Sequence, residues 1–289
     1  MTLGEEQPED FECSVQYKPR GIPLFSIDVL INFVTGLSTL AMHEWTQILE
    51  SFTWEDAGLR LRFASTRAPG RQKLATKEVM WAIRLISNFL HKEKQGYGEV
   101  NFQPYYEGSE LLGSAQLLKI ARPSSNPPSG AAGNVAVTKR ADMGAEMSGN
   151  GSVIQLPDAV TPGVSNAGAE IADLAVYSNG KTFDPFIIYT IMMNLNVLLA
   201  EQDNKEVATG GVYGFDVPQD WQVGIQALSP TSLSLTPRII VETTADLAVS
   251  LALVQPIVHR WKEAAFKIKD NGRVVGTGFI HHKDRQPGR

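Results

Sequence analysis

Two long apolar stretches, residues 22–41 and 186–200, dominate the hydrophobic pattern, and both are apolar almost all round. That pattern predicts helices buried on most sides. Asp28 and Asn32 interrupt the first stretch, Asn194 and Asn196 the second. Neither is therefore a clean run of about 20 apolar residues, and no membrane span is expected. "LRLRF" (59–63) alternates with period two and predicts a half-buried strand. Val79, Ile83, Ile86 and Leu90 recur at helical spacing and predict an amphipathic helix. Near the end, "KIKDNGRVVG" sets Asn271-Gly272 between two strand-forming runs, a strong hairpin signal. The later glycines, Gly276 and Gly278, do not make a phosphate loop, because no helix follows to supply its amides.

These elements occur twice. Pro23 aligns with Pro185 and Asn32 with Asn194, 162 residues on, and Leu59, Leu61 and Phe63 align with Trp221, Val223 and Ile225 at the same shift. Residues 76–91 align with 244–259 at a shift of 168, which puts His91 on His259. Residues 107–117 align with 270–280 at 163, which puts Gly113 on Gly276. Four matches in the same order point to an internal duplication. The expected fold class is α+β: two tandem, pseudo-symmetric helix-strand-helix-strand-strand units with antiparallel sheet and central apolar helices. The boundaries follow as a polar N-terminal arm (1–21), a first repeat (22–121), a flexible linker rich in Pro, Gly, Ser and Ala (122–183), a second repeat (184–283) and a tail (284–289). Within the linker, residues 153–177 turn more apolar and are expected to lie against a domain. Pro256 is expected to kink or stop its helix, and Pro104 to mark a bulge or an edge strand.

Composition narrows function. A net charge of −5 argues against a general nucleic-acid binder. The local run Arg60, Arg62, Arg67, Arg71 and Lys73 reads best as solvated strand and loop ends. One cysteine, Cys13, excludes an intramolecular disulfide and a multi-cysteine zinc site. No H-E-x-x-H or G-x-S-x-G motif is present, so no metal site and no hydrolase nucleophile is expected. The acidic start carries no signal-peptide pattern. That favours the cytoplasm for the chain as written, and secretion if a leader has been cut away. For a secreted chain, Lys139-Arg140 is a dibasic processing site and Asn150 opens a glycosylation sequon.

The remaining chemistry lies on the apolar helices. Asp28 and Asn32 share one helix face, and Thr190 and Asn194 share another. Such polar positions in apolar helices orient a ligand between pseudo-symmetric halves. Asp28, Asn32 and Asn194 are the candidate catalytic residues, and Phe25, Phe33, Thr190 and Met193 the candidate substrate contacts. The reading is a cofactor-independent protein that binds an apolar small molecule between its repeats, a cyclase or isomerase of secondary metabolism if it is an enzyme. The alternative is a secreted interaction protein processed at Lys139-Arg140. A structural homo-oligomer, a homodimer in its simplest form, held through hairpin edges is a third reading.

Overall fold

The computed structural model describes residues 7–18, 21–66, 72–93, 96–108, 111–120, 153–155, 169–201, 220–228, 235–258 and 261–282. The first repeat runs β1 (Phe11–Tyr17), α1 (Ser26–Leu40), β2 (Ser51–Asp56), β3 (Leu59–Ser65), α2 (Thr76–Lys92), β4 (Val100–Tyr106) and β5 (Gly113–Lys119). The short strand β6 (Val153–Gln155) follows. The second repeat runs β7 (Ala169–Tyr177), α3 (Pro185–Ala200), β8 (Trp221–Ala227), α4 (Pro237–Val258), β9 (Ala264–Asp270) and β10 (Arg273–His282).

The protein is α+β with two antiparallel sheets, ordered β1-β4-β5-β3-β2 and β6-β7-β9-β10-β8. Both share a four-stranded core, β1-β4-β5-β3 matching β7-β9-β10-β8. Each adds one strand at opposite edges, β2 in the first sheet and β6 in the second. The helices line the inner faces: α1 lies on β2 and β3, α2 on β1 and β4, α3 on β8, α4 on β7. α1 then packs on α3 and α4, and α2 on α3, giving four layers: sheet, helices, helices, sheet. The apolar first helices are central, as their all-round hydrophobicity requires.

Local chemistry explains the elements. Asn271 and Gly272 have φ of 49° and 74°, both left-handed, as a type I′ hairpin turn needs. Ala57-Gly58 repeats that geometry between β2 and β3, with φ of 50° and 74°. Asp184 caps α3 by accepting the Phe186 N–H at 2.9 Å, ahead of a favourable Pro185. In α2 the Glu78 carboxylate reaches back to the Ala75 N–H at 2.8 Å.

The duplication extends beyond the matched sequences. The Gly21 N–H donates to Lys18, and the Gly180 N–H to Tyr177; the Leu24 N–H donates to Tyr97, and the Phe183 N–H to Trp261. Buried Glu99 accepts the Lys119 N–H at 2.9 Å, and buried Glu263 accepts the His282 N–H at 3.0 Å. Each carboxylate thus holds the last strand of its own repeat to the chain entering β4 or β9.

Several expectations need correction. The segment read as an arm supplies strand β1, and the segment read as a linker supplies β6 and β7, whose residues lie within the apolar part expected to pack on a domain and do so as strands of the second sheet. Each unit therefore opens with a strand; in β1 Phe11, Cys13, Val15 and Tyr17 alternate with Glu12, Ser14 and Gln16, a period-two signal masked by the polar composition of the residues before it. The helix alignments slip. Flanking hydrogen bonds pair Leu24 with Phe183, so α1 and α3 correspond at 159, one turn short of 162. Val79→Ala75 and Ile240→Thr236 pair α2 with α4 at 161, two turns short of 168. Asn194 then matches Thr35, Asn32 matches Ile191, and His91 matches Ala252. His259, the dibasic pair, Asn150, Arg67 and Arg71 lie outside the described residues. α4 continues past Pro256 to Val258. β4 is an interior strand, so Pro104 marks no edge; it marks the bulge instead, because the register shifts by one between Phe102–Ala115 and Tyr105–Leu111, with the Leu112 N–H on the Pro104 carbonyl at 3.0 Å.

Two carboxylates of α4 anchor β7. Glu242 accepts the Ala169 N–H at 2.9 Å, and Asp246 accepts the Ile171 N–H at 2.6 Å. Burial pushes the Asp246 carboxyl above its ordinary range; the Ile171 N–H pulls it down, and Glu170 adds to the rise. A raised native pKa means that stability falls as pH climbs from the unfolded to the native value. Asp246→Asn keeps an acceptor for Ile171 and removes the charge. It is expected to raise the melting temperature at neutral pH, with the gain fading as pH drops to the ordinary aspartate range. Thermal denaturation across pH checks this.

Candidate functional site

The residues singled out on the helices have separate environments. Asn32 is fully buried, and its Nδ2 donates to the carbonyls of Asp56 at 3.1 Å and Leu59 at 3.3 Å. It clasps the β2–β3 hairpin to α1. Asp28 is half-buried one turn earlier, its carboxyl raised by partial desolvation against the pull of Lys119. Phe33 and Met193 are buried in the packed layers, whereas Phe25 is 73% exposed. Thr190 and Asn194 are half-buried, and the Thr190 hydroxyl has no hydrogen-bond partner. No side-chain hydrogen bond joins any two of these seven among the described residues.

The polar contact between the repeats lies elsewhere on the same helices. Asn196, fully buried, donates from Nδ2 to the Ser38 hydroxyl at 2.9 Å and to the Val34 carbonyl at 3.3 Å. Its Oδ1 accepts the Thr244 hydroxyl at 2.6 Å. This cluster ties α1, α3 and α4 together.

Reactive side chains are similarly occupied. Cys13 faces inward from β1, and burial pushes its thiol up to about 12, so it is no nucleophile near neutrality. The His91 ring stacks on Phe186 at 3.6 Å, and His281 stacks on Phe279 at 4.2 Å. His282 meets the Trp221 ring edge to face. Among the described residues, no group of three or more His, Cys, Asp and Glu is placed to hold a metal ion. No helix among them is long and apolar enough to cross a membrane.

The outer face of the first sheet offers a different arrangement. Strand alternation sends Phe11, Cys13, Val15 and Tyr17 inward and Ser14 and Gln16 outward. On β4 the outward positions include Asn101 and Gln103, and on β5 Ser114 and Gln116. Register sets Gln16 beside Asn101 and Asn101 beside Gln116, with Ser14 beside Gln103. These six side chains line a groove of about 270 Å³ whose floor includes Phe102 and Ala115. The groove lies beside Phe102–Ala115, after which the pairing of these two segments shifts by one residue before resuming at Tyr105–Leu111. Every lining residue is neutral. The Asn101 Oδ1 is enclosed yet accepts no hydrogen bond. A buried amide oxygen without a donor is costly.

The second sheet did not keep this chemistry. At the matching positions, Phe279 replaces Gln116, Ala265 replaces Asn101 and Lys267 replaces Gln103. The Phe279 ring lies across Gly224, where an added Cβ would sit 2.1 Å from it. That aromatic ring covers a glycine that would otherwise weaken the strand. The amide cluster therefore belongs to the first repeat alone. It was hidden in sequence because its members come from three strands separated by up to a hundred residues.

No family model matches the chain, and no curated protein matches it. Among solved structures, the tandem DUF26 ectodomain of the Arabidopsis thaliana cysteine-rich receptor-like protein PDLP8 aligns over 94% of this chain and 97% of its own, at 9% identity and a TM-score of 0.24. A candidate thioesterase from Novosphingobium aromaticivorans aligns over 95% of each chain, at 10% identity and a TM-score of 0.13. Superpositions this loose carry no argument about function.

Proposed function

We propose that this protein is a non-catalytic binding protein that holds an uncharged, hydroxyl-rich ligand of the saccharide class on the outer face of its first sheet. The observation that carries this reading is the enclosed, unpartnered Asn101 Oδ1 within a groove of amides and hydroxyls. Amide side chains present a donor and an acceptor together, which matches the paired hydroxyls of a sugar. A hydroxyl of the ligand would donate to the Asn101 oxygen and relieve its desolvation. The lining residues include no carboxylate, imidazole, thiol or amine, so the groove suits recognition, not acid–base chemistry.

This reading keeps the interaction-protein class and sets aside the apolar ligand suggested by the helices. Cyclase or isomerase chemistry draws no support from the helices, where Asn32 is committed to the β2–β3 hairpin. Isothermal titration against a panel of neutral oligosaccharides tests the proposal. Asn101→Leu with Gln103→Leu is expected to weaken binding at least about tenfold, the loss of one or two hydrogen bonds to buried groups, with the melting temperature little changed. Absence of binding to any neutral oligosaccharide, or binding that survives the double substitution, would overturn it.

A further inference from the structure

We infer that the ligand carries an acidic substituent, a uronic acid carboxylate, read by Arg62 at the β3 side of the groove; this rests on the saccharide reading above. Cross-strand register runs Gln16, Asn101, Gln116, Arg62 and Thr53 in one line across the outer face. Arg62 is thus the next side chain after Gln116, one strand spacing or roughly 4.8 Å away. It is exposed and makes no ion pair with any described residue.

Its neighbours differ. Arg60, two residues earlier on the same face, is bridged to Glu55 at 2.5 Å. Lys73 is held by Glu50. Glu12, at the far corner of the face, accepts the Tyr105 hydroxyl. Among the described residues these acids are engaged, and the guanidinium beside the amide row has no ion-pair partner. A guanidinium offers two parallel donors that fit a carboxylate. The second repeat has Gly224 at the matching position, so the charge, like the amides, is confined to the first sheet.

The probes are tetragalacturonate and its neutral counterpart made by carboxyl reduction, titrated into the full chain. Wild-type protein is expected to bind the acidic form about fivefold more tightly at low salt, the size of an exposed ion pair. The ratio should shrink as salt rises. Arg62→Gln is expected to bring the ratio to about one, and its melting temperature confirms that the fold is intact. Equal wild-type affinities for the two probes, or a preference that persists in Arg62→Gln, would sink this inference and leave the groove reading standing. If neither probe nor any other neutral oligosaccharide binds, the groove reading fails and this one with it.

Discussion

Gly113→Ala is expected to destabilise the fold by about 3 kcal/mol, the upper end of what overpacking a closed core costs. A Cβ at Gly113 would lie 2.4 Å from the Ala64 carbonyl oxygen and 2.6 Å from a Leu74 methyl. The first obstacle is backbone of the paired strand, since Ser65 faces Gly113 across the ladder. It cannot swing aside as a side chain would. Gly276, its counterpart, faces Ala227 in the same way, with the Gln226 oxygen 2.9 Å from the added carbon. Gly276→Ala should therefore cost less, about 1–2 kcal/mol. Gly58→Ala serves as the contrast. Nothing lies within 4 Å of its would-be Cβ, but its φ of 74° imposes about 1 kcal/mol of strain. Denaturant unfolding ranks the three, and a Gly113→Ala protein as stable as the parent would refute the packing argument.

That pair of glycines also shows why some of the duplication was legible. Strand matches held: Leu59 with Trp221 and Gly113 with Gly276 agree with the ladders. A strand is pinned by its turn and by close approaches such as these, and a slip of one residue turns its apolar side outward. Helices have no such penalty. A shift of three or seven residues returns nearly the same face, so the apolar pattern of α1 fits α3 almost as well at 162 as at 159, and α2 fits α4 almost as well at 168 as at 161. Aligning Asn32 with Asn194 was such a slip, and the matching of the Asp28/Asn32 pair to the Thr190/Asn194 pair came from it.

The groove was illegible for a related reason. Ser14, Gln16, Asn101, Gln103, Ser114 and Gln116 each look like an ordinary solvated position on a half-buried strand. Only the order β1-β4-β5 places them together, and that order follows from pairings across some ninety residues, Val15 with Phe102 among them. The opening strand was obscured by the acidic, polar residues before it, which gave residues 1–21 the composition of an arm. The hairpin at Asn271-Gly272 was legible because turn geometry is local: two consecutive left-handed residues favour Asn-Gly, whereas the same turn at Ala57-Gly58 carries no such signature.

Asn196→Asp is expected to cost about 3–4 kcal/mol at neutral pH, as an uncompensated charge in a packed interior does, and to recover on acidification. The amide donates to the Val34 carbonyl and the Ser38 hydroxyl, and accepts from Thr244. An ionised carboxylate keeps the Thr244 bond but sets a second acceptor against the Val34 carbonyl. Ser38 already directs its hydroxyl to that same carbonyl, at 2.9 Å. The protonated carboxyl regains one donor and sheds the charge. Its native pKa must therefore stand above the unfolded value of about 3.9. Between the two values the native state binds a proton that the unfolded state does not, so stability falls by about 1.4 kcal/mol for each pH unit of rise. Asn196→Ala removes the same donor without adding a titrating group, so the stability difference between the two variants isolates the charge. It should be largest at neutral pH and shrink towards pH 4. A difference that stays constant across that range would mean that water reaches the seam between the repeats, and that Asn196 does not sit in a closed cluster holding α1 against α3 and α4.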